Sequence, residues 1–159
     1  MTMAKDDMIF IFCSNVVFIP WLALMIAPKW KWTTPTTKVV VLAQCVVYSY
    51  YFGSYALKNK ADLLEVYGGM STLSGLARLF GDSDILLPAW VHYLAFDLVV
   101  AHTVVQRNIA DANGLSKVAM APCLFLTCMA GPAGVLLYVV LRACSSVFCG
   151  KPAAGSKSS

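Results

Sequence analysis

Charge is what this sequence has least of. Charged residues make up 13% of its 159 residues, whereas hydrophobic residues make up 59%, and the mean hydropathy is +0.71. Soluble domains hold roughly 45–50% apolar and 25% charged residues, and a chain this short has too little interior to bury the excess. The composition therefore excludes an ordinary soluble domain. It favours an integral membrane protein with a single helical bundle.

A basic surface stripe is also absent. The net charge of +4 is modest, and the Lys and Arg residues are dispersed among the connections between apolar runs. Proteins that bind nucleic acid concentrate basic residues on one face, often with interleaved aromatic residues. We therefore expect no nucleic-acid partner.

Metal-ligand patterns are missing as well. The chain has two histidines, His92 and His102, which lie in the same apolar run, and none of its six cysteines forms a C-x-x-C pair. A bis-histidine haem needs ligands from two helices, and a di-iron site needs several inward-facing Glu and His residues. We therefore expect no metal and no other cofactor. Cys144 and Cys149 lie near a helix end and are open to palmitoylation. The other cysteines lie in apolar runs and are interpreted as small apolar residues: Cys13, Cys45, Cys123 and Cys128.

Four long apolar runs dominate the chain. A helix of about 20 apolar residues crosses a hydrocarbon core of about 30 Å. The predicted fold is therefore all-α, with four transmembrane helices in one domain over residues 8–142. A polar N-terminus, 1–7, precedes this domain, and a tail expected to be disordered, 143–159, follows it. The predicted spans are 8–28, 39–57, 85–106 and 118–141.

The connection between the second and third spans contains a short amphipathic segment, LSGLARLF, with Leu73, Leu76 and Phe80 on one side. It is too short to cross, so we expect an interfacial helix. Arg78 then lies at membrane level, either reaching lipid phosphate or facing a substrate. Four spans place both termini on one side of the membrane. That side has seven Lys and Arg residues, and the opposite side has five. The positive-inside rule then favours termini in the cytosol or stroma.

The third run carries the ionisable residues of the bundle interior. Ionisable groups are costly in hydrocarbon, so His92, Asp97 and His102 are functional candidates. On a helix, His92 and Asp97 point about 140° apart and lie roughly 7.5 Å apart along the axis, which prevents one metal from binding all three residues. Burial disfavours both charged forms, so Asp97 is expected to donate a proton and His92 to accept one. Such a pair suits an isomerase. The alternative is a structural hydrogen bond from Asp97 to a tyrosine of the second span.

The second run is rich in tyrosine. Tyr48, Tyr51 and Tyr55 share one helical face by their spacing. They either anchor the helix at the membrane interface or line a pocket for a polyene or ring. Both interpretations remain open from the sequence.

Two blocks carry a family resemblance. The block LARLFGDSDILLPAWVHYLAFDL, followed by PCLFLTCMAGPAGVLLYVVLR, resembles the abscisic-acid-deficient-four-like family of small polytopic membrane proteins. The similarity runs from about Leu76 to Arg142 and centres on a W-x-H-x-L-A-x-D-L motif with a downstream G-P-x-G. His102 stands where we expect an arginine in the family pattern. On this chain the motif residues are Trp90, His92, Leu94, Ala95, Asp97 and Leu98, then Gly131, Pro132 and Gly134.

The resemblance implies isomerisation of a xanthophyll epoxide, violaxanthin, to the allenic carotenoid neoxanthin, without a redox cofactor. Asp97 is then the acid and His92 the base. Membrane lipid, a carotenoid substrate and other carotenoid-pathway enzymes are the implied partners. The implied substrate-binding residues are Arg78, Trp90, Tyr93 and His102, together with Tyr48, Tyr51 and Tyr55 of the tyrosine face.

A second interpretation belongs to a different class. The chain could be a non-catalytic accessory protein that binds carotenoid or lipid for another enzyme. The compartment follows from the source: a plastid envelope or thylakoid membrane for a plant or alga, and the plasma membrane for a bacterium.

Overall fold

The computed structural model describes residues 5–58 and 68–148, and in this part of the chain all regular structure is α-helical. Three stretches are long and apolar enough to cross a membrane: Lys5–Ile26, Thr33–Lys58 and Ser83–Ala110. The all-α prediction is confirmed, and these stretches correspond to the first three predicted spans. The helices are α1 (Lys5–Val16), α2 (Phe18–Ile26), α3 (Thr33–Lys58), α4 (Leu73–Leu79), α5 (Ser83–Ala110), α6 (Lys117–Ala130) and α7 (Pro132–Phe148).

The first span is interrupted at Val17, between α1 and α2. Pro20 is the cause, because a proline ring clashes with the carbonyl four residues earlier, which belongs to Val16. The interruption lies three residues before the proline. α4 forms where the amphipathic segment predicts a short helix, and none of its residues is buried. Its position at the membrane interface remains a prediction.

α5 is the central helix of the bundle. Its inner face presents Leu98, Ala101 and Val105, each at most 3% exposed, to α2, α3 and α6. Small residues such as Ala101 let neighbouring helices approach closely, which is how helices associate in lipid. A buried polar contact joins α1 to α3, where the Gln44 side-chain amide donates to the Cys13 carbonyl at 2.8 Å. Such interhelical bonds contribute about 0.6 kcal/mol each on average.

The fourth apolar run is not one helix. It divides at Gly131, whose φ of 42° lies outside the helical region, into α6 with 14 residues and α7 with 17. At 1.5 Å per residue, α6 is about 21 Å long, shorter than the hydrocarbon core. The fourth predicted span, 118–141, is therefore not confirmed, because the apolar run forms two helices rather than one.

α6 and α7 fold back on each other as a helical hairpin. A Cβ on Gly134 would meet the backbone and side chain of Thr127 and the carbonyl of Cys123, which lie up to eleven residues earlier. Further along α7, the Arg142 guanidinium pairs with the Asp111 carboxylate and donates to the Asn113 carbonyl, just before α6 begins. The hairpin therefore leaves and returns to the same end of the bundle, with Gly131 at its tip. Residues 143–148 belong to α7, and the rest of the predicted disordered tail lies outside the described residues.

The two ends of the bundle differ in charge. We call the end with Lys5, Lys58 and Asp84 the N-terminal end, and the end with Lys29 and Arg142 the C-terminal end. Among the described residues, the C-terminal end has six basic residues and one acidic residue, whereas the N-terminal end has three basic and four acidic residues. Counting Lys and Arg alone, the described residues give six at the C-terminal end and three at the N-terminal end, because the hairpin keeps Arg142 beside Asp111 at the C-terminal end. The positive-inside rule favours the C-terminal end in the cytosol or stroma.

This topology predicts that the two chain termini are on opposite sides of the membrane. Epitope tags at either terminus, tested by protease protection in sealed vesicles, should be cleaved from opposite sides. Detergent-opened vesicles, in which both tags are cleaved, serve as the control. Protection of both tags on the same side would mean that the fourth run crosses the membrane after all.

Candidate functional site

A first cavity, of about 230 Å³, lies between α3, α5 and the residues on either side of α4, Met70 and Phe80, and contains His92. The His92 ring stacks on Phe96 at 4.4 Å between centroids and contacts Tyr48 at 5.6 Å. Tyr55 and Tyr93 also line this cavity. The structure therefore brings together four of the residues that the sequence proposed for catalysis or substrate binding, in an aromatic pocket. We call it the His92 cavity.

Tyr51 lies elsewhere, although it shares a helix face with Tyr48 and Tyr55. Its hydroxyl donates to the Asp6 carboxylate at 3.0 Å, and its ring meets Tyr50 edge-on. This contact ties α3 to the start of α1. The tyrosine face is therefore shared between a cavity wall and a polar contact at the N-terminal end of the bundle.

A second cavity, of about 210 Å³, lies on another side of α5 and contains Asp97. We call it the Asp97 cavity. Its walls come from α1, α2, α5 and α6 and are largely apolar. Asp97 is the fifteenth of the 28 residues of α5, and its half-buried carboxyl group makes no hydrogen bond to any described residue. The structural alternative from the sequence, a hydrogen bond from Asp97 to a tyrosine of α3, is therefore not found in the described part of the chain.

The tip of the hairpin closes one side of the Asp97 cavity. A Cβ on Gly131 would lie 2.9 Å from the Asp97 Oδ1 atom, so the backbone of the tip passes directly beside the carboxyl group. Cys128 and Met129, at the end of α6, complete this wall. The positive φ favours glycine at the tip, and a side chain there would displace the Asp97 carboxyl group.

Trp90 is fixed in place at the Asp97 cavity. Its indole N–H donates to the Ser14 hydroxyl at 2.9 Å, and its ring packs against Phe10 at 5.7 Å. Ser14 and Trp21 of the first span also line this cavity. No sequence pattern indicated Ser14 or Trp21 as site residues, because their proximity to Asp97 arises from packing between distant segments.

The remaining candidates do not line either cavity. His102 shares a hydrogen bond of 3.2 Å with the Thr34 hydroxyl, which also accepts from the Gln106 amide at 3.3 Å. Arg78 is exposed on the last turn of α4. The departure from the family pattern at His102 therefore affects the contact between α3 and α5 rather than the Asp97 cavity.

His92 and Asp97 thus face different cavities, as their helical spacing indicates. Neither cavity gathers a metal site: in residues 5–58 and 68–148, no three His, Cys, Asp or Glu side chains come together. What the Asp97 cavity offers is one carboxyl group, two indole rings and an apolar wall at the middle of a long apolar helix. That arrangement is suited to proton transfer on an apolar molecule.

The fold and these cavities are those of an α-helical protein with three stretches able to span a membrane and a carboxyl group near the middle of the third. A family model, ABA DEFICIENT 4-like, matches residues 8–138. The chain belongs to this family, which relates it to neoxanthin formation. No curated protein and no solved structure matched the chain.

Proposed function

We propose that this chain binds an epoxide-bearing end ring of a xanthophyll in the Asp97 cavity and isomerises the epoxide to an allene. The observation that supports this most strongly is the Asp97 carboxyl group, which has no hydrogen-bond partner among the described residues and faces an apolar cavity. An unsatisfied ionisable group at membrane depth is costly and marks a functional site. Family membership supplies the substrate class.

The reaction is a proton relocation with no net oxidation. Asp97 donates a proton to the epoxide oxygen, and the bond from that oxygen to the ring carbon next to the polyene breaks. The C–H bond on the first polyene carbon also breaks, and its electron pair forms the second double bond of the allene. The epoxide oxygen becomes a hydroxyl group, so atoms and electrons balance without an external oxidant or reductant.

The base in this proposal is the second oxygen of the same carboxyl group. His92 was the base expected from the sequence, but it lines the other cavity, on a different side of α5. A carboxylate that has just given up its proton can accept the vinylic proton, which regenerates the acid for the next turnover. His92 then contributes with Tyr48 and Tyr93 to binding another part of the long pigment.

The indole rings of the cavity have a role in the same step. Opening the epoxide leaves positive charge on the ring carbon and the polyene. Trp21 and Trp90 line the cavity in which this charge develops, and contact with the π face of an indole stabilises a cation by about 0.5–2 kcal/mol. The Ser14 hydroxyl fixes the orientation of Trp90 through their hydrogen bond.

Turnover by the isolated protein tests the proposal. Purified protein in liposomes, supplied with violaxanthin alone, should form neoxanthin, measured by chromatography of the extracted pigments. Liposomes without protein give the uncatalysed background. Retention of violaxanthin without conversion would contradict the isomerase proposal.

That contrary outcome corresponds to the second candidate, an accessory pigment-binding protein. The observation that favours it is the aromatic wall of the His92 cavity, which can hold a ring or polyene on a different side of α5 from Asp97. Binding of violaxanthin with no product, and product formation only after another enzyme is added, would establish this role.

A further inference from the structure

A third cavity, of about 300 Å³, lies at the C-terminal end of the bundle, away from both cavities described above. It is formed by the end of α2, the end of α5, the following turn and the start of α6. We call it the end pocket.

The inner wall of the end pocket is apolar. The partly exposed side chains of Met25, Ile109 and Leu115 line it, and they pack against the buried core of the bundle. The pocket therefore extends from the polar end of the helices towards the hydrocarbon level. An occupant with an apolar part would find a matching surface there.

The outer rim of the end pocket is basic. Lys29 and Lys117 line it, and neither forms an ion pair with an acidic residue of the described chain. The carboxylate on the rim, Asp111, is paired with Arg142. Two ammonium groups are therefore available to an anion, and the competing carboxylate is already neutralised by its partner.

The turn that forms the floor of the pocket is held rigidly. The Asn108 side chain accepts from the Leu115 backbone N–H at 2.7 Å and donates to the Leu115 carbonyl at 2.9 Å. The Ser116 hydroxyl caps α6 by accepting from the Ala119 N–H at 3.3 Å. A rigid site loses little conformational entropy when a ligand binds, so the rigidity of this turn lowers the cost of binding in the pocket.

We propose that the end pocket binds the phosphate-bearing headgroup of an anionic phospholipid. Lys29 and Lys117 contact the phosphate, and the apolar wall contacts the glycerol backbone and the first carbons of the acyl chains. The net positive charge at this end of the bundle also attracts anionic lipid towards the pocket. The site is separate from the Asp97 cavity and does not depend on the reaction proposed there.

The occupant is a lipid rather than free phosphate because of the apolar wall. A free phosphate ion would use only the rim and would leave the partly exposed side chains of Met25, Ile109 and Leu115 facing water. A phospholipid covers both surfaces at once, and its headgroup lies at the depth where helix ends meet the membrane interface.

Lipid retention tests the proposal on the full-length protein. The protein is reconstituted in phosphatidylcholine vesicles with a minor fraction of phosphatidylglycerol, extracted in mild detergent, and examined by native mass spectrometry. The double variant Lys29→Gln/Lys117→Gln should retain roughly tenfold less phosphatidylglycerol than the unmodified protein, since each lysine near the membrane surface contributes to binding anionic lipid.

A matched variant separates the pocket from the general positive field. Lys31→Gln/Lys38→Gln removes the same charge from the same end of the bundle, but neither residue lines the pocket. It should retain nearly as much phosphatidylglycerol as the unmodified protein. An equal loss in both double variants would overturn the proposal in favour of non-specific attraction, and no loss in either would overturn it outright.

Two further measurements complete the test. The charge-conserving variant Lys29→Arg/Lys117→Arg should keep the lipid, which shows that the loss in the glutamine variant is not a folding defect. Inorganic phosphate added at millimolar concentration should not displace phosphatidylglycerol. Displacement would identify free phosphate as the ligand and would overturn the lipid assignment.

Discussion

Asp97→Asn is expected to lower the rate of neoxanthin formation by about 10²- to 10⁴-fold, the range that a positioned proton donor contributes to catalysis. The amide has nearly the same shape as the carboxylic acid, but it cannot give its proton to an epoxide oxygen or take one from carbon. Because Asp97 makes no hydrogen bond to any described residue, the substitution breaks no contact that supports the fold. The measurement is the initial rate in proteoliposomes supplied with violaxanthin.

Asp7→Asn is the matched control. It makes the same chemical change at an exposed position in the first turn of α1 that lines neither cavity. It should leave the rate unchanged. An Asp97→Asn variant with the rate of this control would remove Asp97 from the reaction.

His92→Gln separates the two assignments of the base. If the second oxygen of Asp97 accepts the vinylic proton, loss of the imidazole weakens pigment binding in the His92 cavity, so KM rises while kcat is retained. If His92 is itself the base, kcat falls by a factor similar to that of Asp97→Asn. A loss of kcat in His92→Gln would therefore restore the assignment made from the sequence, and it would require His92 and Asp97 to approach one ring together.

Gly131→Ala is expected to have the second large effect, on both stability and rate. The backbone at Gly131, with φ 42° and ψ −94°, lies outside the regions open to alanine, and such strain costs about 1–3 kcal/mol. The added methyl group would also lie 2.9 Å from the Asp97 Oδ1 atom. The carboxyl group can rotate away, so this contact costs little stability, but it moves the proton donor. We expect a lower thermal unfolding midpoint in detergent and a lower rate of isomerisation.

Gly53→Ala provides the comparison for Gly131→Ala. A Cβ on Gly53 meets no atom within 4 Å, and the residue lies inside α3. Alanine there should stabilise the helix by about 0.5–1 kcal/mol, because it restricts the unfolded backbone. If Gly131→Ala raised stability in the same way, α6 and α7 would form one continuous helix and the hairpin would be wrong.

Local sequence properties were sufficient to predict much of this protein's structure. The three stretches able to span a membrane follow from apolar runs, since a bilayer requires a certain length of apolar helix with its backbone bonds satisfied internally. The separation of His92 from Asp97 follows from helical geometry, because five residues correspond to about 140° of rotation. The structure agrees on both points, with the two residues lining different cavities.

The hairpin of α6 and α7 could not be predicted from local sequence properties. Residues 118–141 are long and apolar enough to cross, and Gly131-Pro132 indicates either a kink or a reversal. The choice depends on contacts between segments: Gly134 against Thr127, and Arg142 with Asp111. Those contacts determine which membrane side the C-terminal part of α7 occupies, and so they also change the charge balance between the two ends.

The sequence by itself determined that this chain is a helical membrane protein with one carboxyl group at membrane depth, because hydropathy, length and helical period are local properties. Only the tertiary structure determined what surrounds that carboxyl group. Ser14 and Trp90 lie 76 positions apart in the chain, yet they share a hydrogen bond beside the Asp97 cavity. The hairpin tip reaches the same place from a segment 34 positions beyond Asp97. Such proximity arises from the packing of helices against one another, which no local pattern specifies.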